Sequence, residues 1–321
     1  MSDIDFQNEL ENRKVVLLAG GVGGAKLADG LARLLPAENL TIIVNTGDDF
    51  GHLGLTVCPD LDTVMYRLAG VANDETGWGR AQESWRTMGV VADLGGPDWF
   101  RLGDLDLGVH LTRTDLLQKG QTLTAVTQQL CQKLGIKATV LPMSNQPAPT
   151  KIQSGETIYP FQEWFVKERW QPPVDKIVLP EDARATAMVS KALEAADIVC
   201  IAPSNPFVSI DPILNVYPIR AMLSDLPRVV LAMSPIVGGD AVKGPAAKMM
   251  REKGMAVSAT AVSEYYGDLL DGFVYDVQDE GQMDGIDLAT LCTNTMMFTA
   301  QDRQRLAQEV LTFAFDLFHN L

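Results

Sequence analysis

Two short stretches of this chain carry groups suited to a phosphorylated ligand. Gly20-Gly21-Val22-Gly23-Gly24 lies between an apolar run ending at Ala19 and a helical pattern starting near Ala25. Such a turn lets backbone N–H groups approach a diphosphate at a helix N-terminus, where the helix dipole also favours negative charge. The next apolar run, Leu40 to Val44, ends in Asn45-Thr46-Gly47-Asp48-Asp49. Carboxylates repel a diphosphate, so acids beside this turn point to a bound divalent cation or a hydroxyl partner. Further acid pairs stand in Pro59-Asp60-Leu61-Asp62-Thr63 and Arg101-Leu102-Gly103-Asp104-Leu105-Asp106, more than helix capping requires. They suit Mg²⁺, which takes oxygen ligands at about 2.0–2.1 Å and is often shared with substrate phosphates. They also suit hydrogen bonding to a polyhydroxylated acceptor.

The glycine turn matches neither common phosphate-binding fingerprint. Counted from Gly21, the third glycine of a dinucleotide motif falls on Lys26. Counted from Gly20, a Walker A loop would need Gly-Lys-Ser/Thr where the chain has Ala25, Lys26 and Leu27, so the magnesium-binding hydroxyl is missing. Neither a standard ATPase nor a dehydrogenase follows.

The elements that must position these groups alternate between apolar strand-like runs and helical patterns. The spacing predicts strands at Lys14 to Ala19, Leu40 to Val44, Asp197 to Ala202, Arg228 to Met233 and Phe273 to Val277. Leu27, Ala28, Leu31, Leu34 and Leu35 share one face of the helix after the first strand. This is an α/β pattern of Rossmann-like type: a doubly wound, mainly parallel sheet with helices on both faces. Ligands in such sheets bind beyond the carboxyl ends of the strands, so loops far apart in sequence, including Pro203-Ser204-Asn205-Pro206 and Ser234-Pro235-Ile236, are expected to meet at one cleft. The expectation is a single α/β domain over 1–321, with 73–100 and 145–180 as excursions covering the cleft. Trp78 to Trp99 reads as more helical. Asp302 to Leu321 carries Leu306, Val310, Phe313, Leu317 and Leu321 near helical spacing and reads as a packed or dimer-forming helix.

Composition narrows the function classes. With 41 acidic against 26 basic residues the net charge is −15, which argues against broad electrostatic binding to nucleic acid or anionic membrane. Any polyphosphate ligand then needs local donors and a metal. Cys58, Cys131, Cys200 and Cys292 are widely separated and form no CxxC pair, so reduced thiols in a cytoplasmic protein are expected rather than a zinc site. Nothing at the N-terminus resembles a signal peptide, and no run reaches the roughly 18 apolar residues of a membrane span.

Taken together, Gly20-Gly21-Val22-Gly23-Gly24-Ala25-Lys26-Leu27, Asn45-Thr46-Gly47-Asp48-Asp49, Pro59-Asp60-Leu61-Asp62-Thr63-Val64-Met65-Tyr66, Leu102-Gly103-Asp104, Leu141-Pro142-Met143-Ser144, Pro203-Ser204-Asn205-Pro206 and Ser234-Pro235-Ile236 resemble the 2-phospho-L-lactate transferase family, CofD/FbiA type. The resemblance spans nearly the whole chain. It implies a Rossmann-like homodimer that joins a phospho-hydroxyacid to the deazaflavin precursor Fo (7,8-didemethyl-8-hydroxy-5-deazariboflavin) in coenzyme F-420 biosynthesis and releases GMP. The implied donor is a guanosine diphosphate carrying a lactyl, enolpyruvyl or glyceryl group. Its diphosphate would lie on the loop containing Gly21, Gly23 and Gly24, with Thr46, Ser204 and Asn205 as further substrate contacts. Asp62 and Arg101 occupy the positions that contact the acceptor in the family. Asp48, Asp49 and Asp62 are the catalytic candidates, with Asp48 and Asp49 as the expected Mg²⁺ ligands; orienting the hydroxyl and binding metal both suit these carboxylates.

The pattern departs from the family at two points. Asn145-Gln146 stands where many members carry two acids after Leu141-Pro142-Met143-Ser144, and Leu105 replaces the arginine of the common L-G-D-R-D form. The main alternative is a CofD-like regulatory protein that binds nucleotide sugars without catalysis. Its T-G-L-S loop and G-G-S-S run are here Val22-Gly23-Gly24-Ala25 and Phe50-Gly51-His52-Leu53. A nicotinamide oxidoreductase is disfavoured by the broken glycine fingerprint.

Overall fold

The computed structural model describes residues 3–320. Seven strands form its main sheet: β1 (Val15–Ala19), β2 (Leu40–Val44), β3 (Thr139–Pro142), β4 (Ile198–Ile201), β5 (Val229–Met233), β6 (Gly272–Asp276) and β7 (Ala289–Thr293). Their order is β7-β6-β5-β4-β1-β2-β3, and every neighbouring pair is parallel. Leu17 of β1 stands opposite Ile42 on one side and Cys200 on the other. The order reverses at β1, so the crevice between β1 and β4 is the topological switch point of a doubly wound sheet.

The strands read as unbroken apolar runs because both faces are covered. Every residue of β1, β4, β5 and β6 is buried. Successive side chains alternate between two cores. Val15, Leu17 and Ala19 enter one with Leu40, Ile42 and Val44, while Val16 and Leu18 enter the other with Ile43, Val199 and Ile201. The first core is roofed by α1 (Gly21–Ala32), α2 (Pro59–Leu68) and the long C-terminal helix α4 (Ala300–Phe318). A capping box of Thr299 and Asp302 starts α4. The helix sits so close to α1 that a Cβ on Gly30 would lie 2.2 Å from the Arg303 carbonyl. Leu306 and Val310 are buried, and Phe313 and Leu317 pack against the same core; Leu321 lies outside the described residues.

The segments 73–100 and 145–180 differ from their sequence pattern. Between Trp78 and Trp99 only Arg86–Asp93 is helical. The rest is turned, with Gly79, Gln82 and Gly95 at positive φ, and just before it Gly77 is at positive φ and the Asn73 side chain accepts from Glu75 N and Thr76 N. Around Gln153 the chain forms a separate antiparallel sheet of Lys151–Ser154, Thr157–Pro160 and Lys176–Val178, closed by a helical turn over Glu163–Lys167 that buries Trp164. β3 and the edge strand β7 were not anticipated: β3 is four residues long, and β7 is only half apolar and exposed at Ala289 and Thr290. None of the described helices is long and apolar enough to cross a membrane.

Candidate active site

At the carboxyl end of β1 the chain turns at Gly20 directly into α1. Gly21 has φ of +61°, a conformation open to glycine at little cost. Gly23 faces the loop after β4 so closely that a Cβ there would stand 2.5 Å from the Pro203 carbonyl. Gly20, the N-cap residue, has no side chain to cap the helix, and the Gly21 amide is taken by Asp60 from α2 instead. Ser204 stitches the two loops together, its Oγ donating to Gly20 O at 2.6 Å. Asn205 is occupied locally: its Oδ1 accepts from Phe207 N, and its Nδ2 lies 3.5 Å from the Met249 sulfur.

The loop after β2 supplies the acids. Asn45, fully buried, directs one amide nitrogen at Asp48 Oδ1 (2.9 Å), Asp60 Oδ2 (2.8 Å) and Val208 O (3.3 Å), while its Oδ1 accepts from Gly47 N (2.7 Å). Gln162, from the small antiparallel sheet region, donates to Asp48 Oδ2 at 3.1 Å. Asp60 Oδ1 accepts from Gly21 N at 2.7 Å, which joins the acid cluster to the glycine loop. The Asp48 carboxyl is pushed well above its ordinary pKa, first by burial and then by the neighbouring Asp60 charge. Burial likewise raises Asp60 and Asp49. Asp49 Oδ1, Thr46 Oγ1 and Thr150 Oγ1 are enclosed without a hydrogen-bond partner.

An all-oxygen set of carboxylates in which the charges of Asp60 and Asp49 raise the pKa of Asp48 fits a hard divalent cation, which would relieve that repulsion. Asp48 and Asp60 meet the usual requirement for Mg²⁺, one or two carboxylates completed by substrate phosphates.

Asp62 faces a second group, which adjoins the first at Asp49, where the Arg113 and Asp62 charges act ahead of that of Asp60. Although only two residues from Asp60, Asp62 accepts both Nη1 (3.0 Å) and Nη2 of Arg113, a side chain 0% exposed on α3 (Asp104–Gln118). His110 Nδ1 lies 3.2 Å from Arg113 Nη1, so it is the accepting nitrogen, and its Nε2 lies 3.3 Å from Asp106, to which Tyr66 also donates. Asp62, Asp106 and His110 bring ligand-type atoms within 4.8 Å of one another. The Arg113 guanidinium offsets one of the two carboxylate charges in that group, so Asp62 is part of a buried ion network that joins α2 to α3. Arg101 is exposed and stacks its guanidinium 4.7 Å from the Trp85 ring. Asp104 caps the helix Arg86–Asp93, accepting from Ser84 Oγ, Arg86 N and Thr87 N.

The structure thus brings together Gly21, Gly23, Gly24, Thr46, Asp48, Asp49 and Ser204, and it adds Asn45, Asp60 and Gln162. Gln162 has no local signal; it arrives through the fold. Asp60 did have one. Adjacent helical residues are rotated by about 100°, so Asp60 and Asp62 on the first turn of α2 must face nearly opposite ways.

Fold and site describe a doubly wound α/β protein whose chemistry is assembled at the switch point of its sheet. Residues 15–314 match the family model described as 2-phospho-L-lactate transferase CofD, and the chain belongs to that family of transferase enzymes. It is 38% identical over 300 residues to a protein from Methanospirillum hungatei named 2-phospho-L-lactate transferase, covering 93% of this chain and 99% of that one. It is 40% identical over 312 residues to one from Streptomyces coelicolor named phosphoenolpyruvate transferase, covering 94% and 98%. Its fold is similar to that of a UPF0052 family protein from Bacillus halodurans, at a TM-score of 0.63 and 15% identity over 94% of this chain and 99% of that one.

Proposed function

We propose that this enzyme transfers a phospho-hydroxyacid group from a guanosine diphosphate donor to the terminal ribityl hydroxyl of the deazaflavin precursor Fo, releasing GMP, as a step of coenzyme F-420 biosynthesis. The observation that supports this reading is the hydrogen bond from Gly21 N to Asp60 (2.7 Å), which joins the first turn of α1 to a cluster of buried carboxylates. The relatives named for phospholactate and for phosphoenolpyruvate match at similar identity. Those names support a 2-phospholactyl or enolpyruvyl group as the transferred acid, and a glyceryl group is the third candidate to test.

In this reading the donor diphosphate lies along the first turn of α1, with the loop from Pro203 to Pro206 beside it. Asp48 and Asp60, with Asp49 adjacent, would hold Mg²⁺, which would supply neutralisation of the diphosphate charge. Asn45 and Gln162 keep the Asp48 carboxylate fixed in place. The ribityl oxygen forms a bond to the distal phosphorus, and the bond from that phosphorus to the bridging oxygen breaks. GMP leaves with the electron pair, and the hydroxyl proton passes to Asp49, whose raised pKa suits a base. Most of the rate comes from positioning and charge stabilisation, as for other phosphoryl-type transfers. Arg101, on its exposed perch beside Trp85, contacts the acceptor. Asp62 acts on the acceptor side through Arg113, by fixing α2. The enzyme works as a cytoplasmic homodimer on small molecules, with no nucleic acid or membrane partner.

The test is direct. Incubation with Mg²⁺, Fo and each guanylyl donor in turn is expected to yield the phosphodiester and GMP with at least one donor, identified by mass. Failure with all three overturns the proposal.

A further inference from the structure

Against a net charge of −15, a group of cations gathers around α1 at Lys26. Val22 and Lys26 stand one helical turn apart on the same face of α1. Lys243, exposed on the loop after the hairpin Ile236–Val237 and Asp240–Ala241, reaches toward that face. Its Nζ donates to Thr76 O at 3.1 Å. A Cβ on Gly77 would lie 2.8 Å from Lys243 Nζ and 3.0 Å from Val22 Cγ1, so the lysine and the first turn of the helix share one small space. Lys26 Nζ donates to Met297 O at 2.6 Å. Arg67 and Arg303, both buried, complete the group but are already paired, with Asp74 and Asp29. Neither Lys26 nor Lys243 forms an ion pair among the described residues. Burial and then the charges of Lys243, Arg67 and Arg303 push the Lys26 pKa down, with Asp74 opposing them in part. Like charges held together in this way are relieved by an anion.

The diphosphate is not the only anion on the proposed donor. Its distal phosphate carries an acid whose carboxylate sits a few bonds from the phosphorus under attack. That carboxylate takes no part in the bond exchange, so holding it contributes orientation: it fixes rotation about the ester bond and lines the phosphorus up with the incoming hydroxyl. We propose that Lys26 and Lys243 form an acid subsite beside the glycine loop that binds the carboxylate of the transferred phospho-hydroxyacid. The inference rests on the donor reading given above and adds the residues that select an acidic group over a neutral one.

Lys243→Met tests it in the full chain, because the side chain is exposed and its loss leaves the core intact, as a thermal melt would verify. The expected result is a KM for the acid donor raised about tenfold or more, the loss of one hydrogen bond to a charged group, with affinity for GDP alone within twofold of wild type. Lys243→Arg should recover most of the loss. A donor whose carboxylate is converted to an amide should be poor with wild type by a similar factor and no poorer with the Met variant. Equal weakening of GDP and donor would assign the lysine to the diphosphate and overturn the subsite, as would a wild-type enzyme indifferent to the amide. A wild-type enzyme that makes no phosphodiester from any acid donor overturns the donor reading, and the subsite with it.

Discussion

The two acids of Asp60-Leu61-Asp62 should give opposite phenotypes when each is changed to asparagine. Asp62 is the partner of Arg113, whose guanidinium is 0% exposed and has His110 and Asp62 as its polar company. Removing the carboxylate leaves a buried cation without compensation, a change that costs about 3–5 kcal/mol. For a chain of 321 residues the unfolding entropy near the melting midpoint is about 0.7 kcal/mol per kelvin, so Asp62→Asn should lower Tm by about 4–7 °C. Arg113→Met added to it should restore part of that loss, since the stranded charge is gone. Asp60→Asn removes a charge that raises the pKa of Asp48, and its lost hydrogen bond is offset by relieved repulsion. Its Tm should stay within about 2 °C of wild type while transfer falls by about 100-fold or more, the scale for losing a group that stabilises developing charge. Thermal melts in chelator and initial rates with Mg²⁺ read both quantities. If Asp62→Asn melts with wild type, or if Asp60→Asn keeps full activity, the division of the motif into a structural acid and a chemical acid is refuted.

Other outcomes follow from particular contacts. Mg²⁺ should raise the Tm of wild type by mass action but not that of Asp60→Asn, and chelation should abolish transfer reversibly; an equal shift in both proteins would place the ion elsewhere. Gly23→Ala would put a Cβ 2.5 Å from the Pro203 carbonyl, so GDP binding measured by titration should weaken at least about tenfold and stability should fall by about 1–3 kcal/mol. Gly108→Ala, helical, exposed and with open space at its Cβ, should instead stabilise by about 0.5–1 kcal/mol, which separates a crowded glycine from a free one. Asp211 supplies a pH test: burial pushes its carboxyl from 3.8 up to about 6 although the Tyr265 hydroxyl donates to it. The native state therefore holds this proton more tightly than the unfolded chain, so the contribution is whole below about pH 4 and is lost as pH rises through 6. Asp211→Asn should gain about 2–3 kcal/mol relative to wild type between pH 4 and 7.5, and a pH-independent difference in chemical denaturation would refute it.

How far the sequence discloses this site depends on which residues one asks about. β1, β2, β4, β5 and β6 were legible because both of their faces are buried, and burial on both faces demands an unbroken apolar run. β7 was not, since an edge strand exposed at Ala289 and Thr290 is under no such demand. The glycine turn and the acids after β2 announced themselves through composition, because a close backbone approach admits little but glycine and the proposed cation would need oxygen. Asn45 and Gln162 did not, for an amide acquires its role from what the fold sets around it. Gln162 reaches Asp48 across 114 positions of chain. The instructive residue is Asp62, equal to Asp60 in type and nearly in position. A loop motif treats the two as interchangeable, whereas Pro59 at the start of α2 makes them helical and turns them to different sides. One side meets the Gly21 amide and the other the Arg113 guanidinium. The chemistry of an acid pair is thus decided by the element that carries it, and a motif becomes a site only after its periodicity has been assigned.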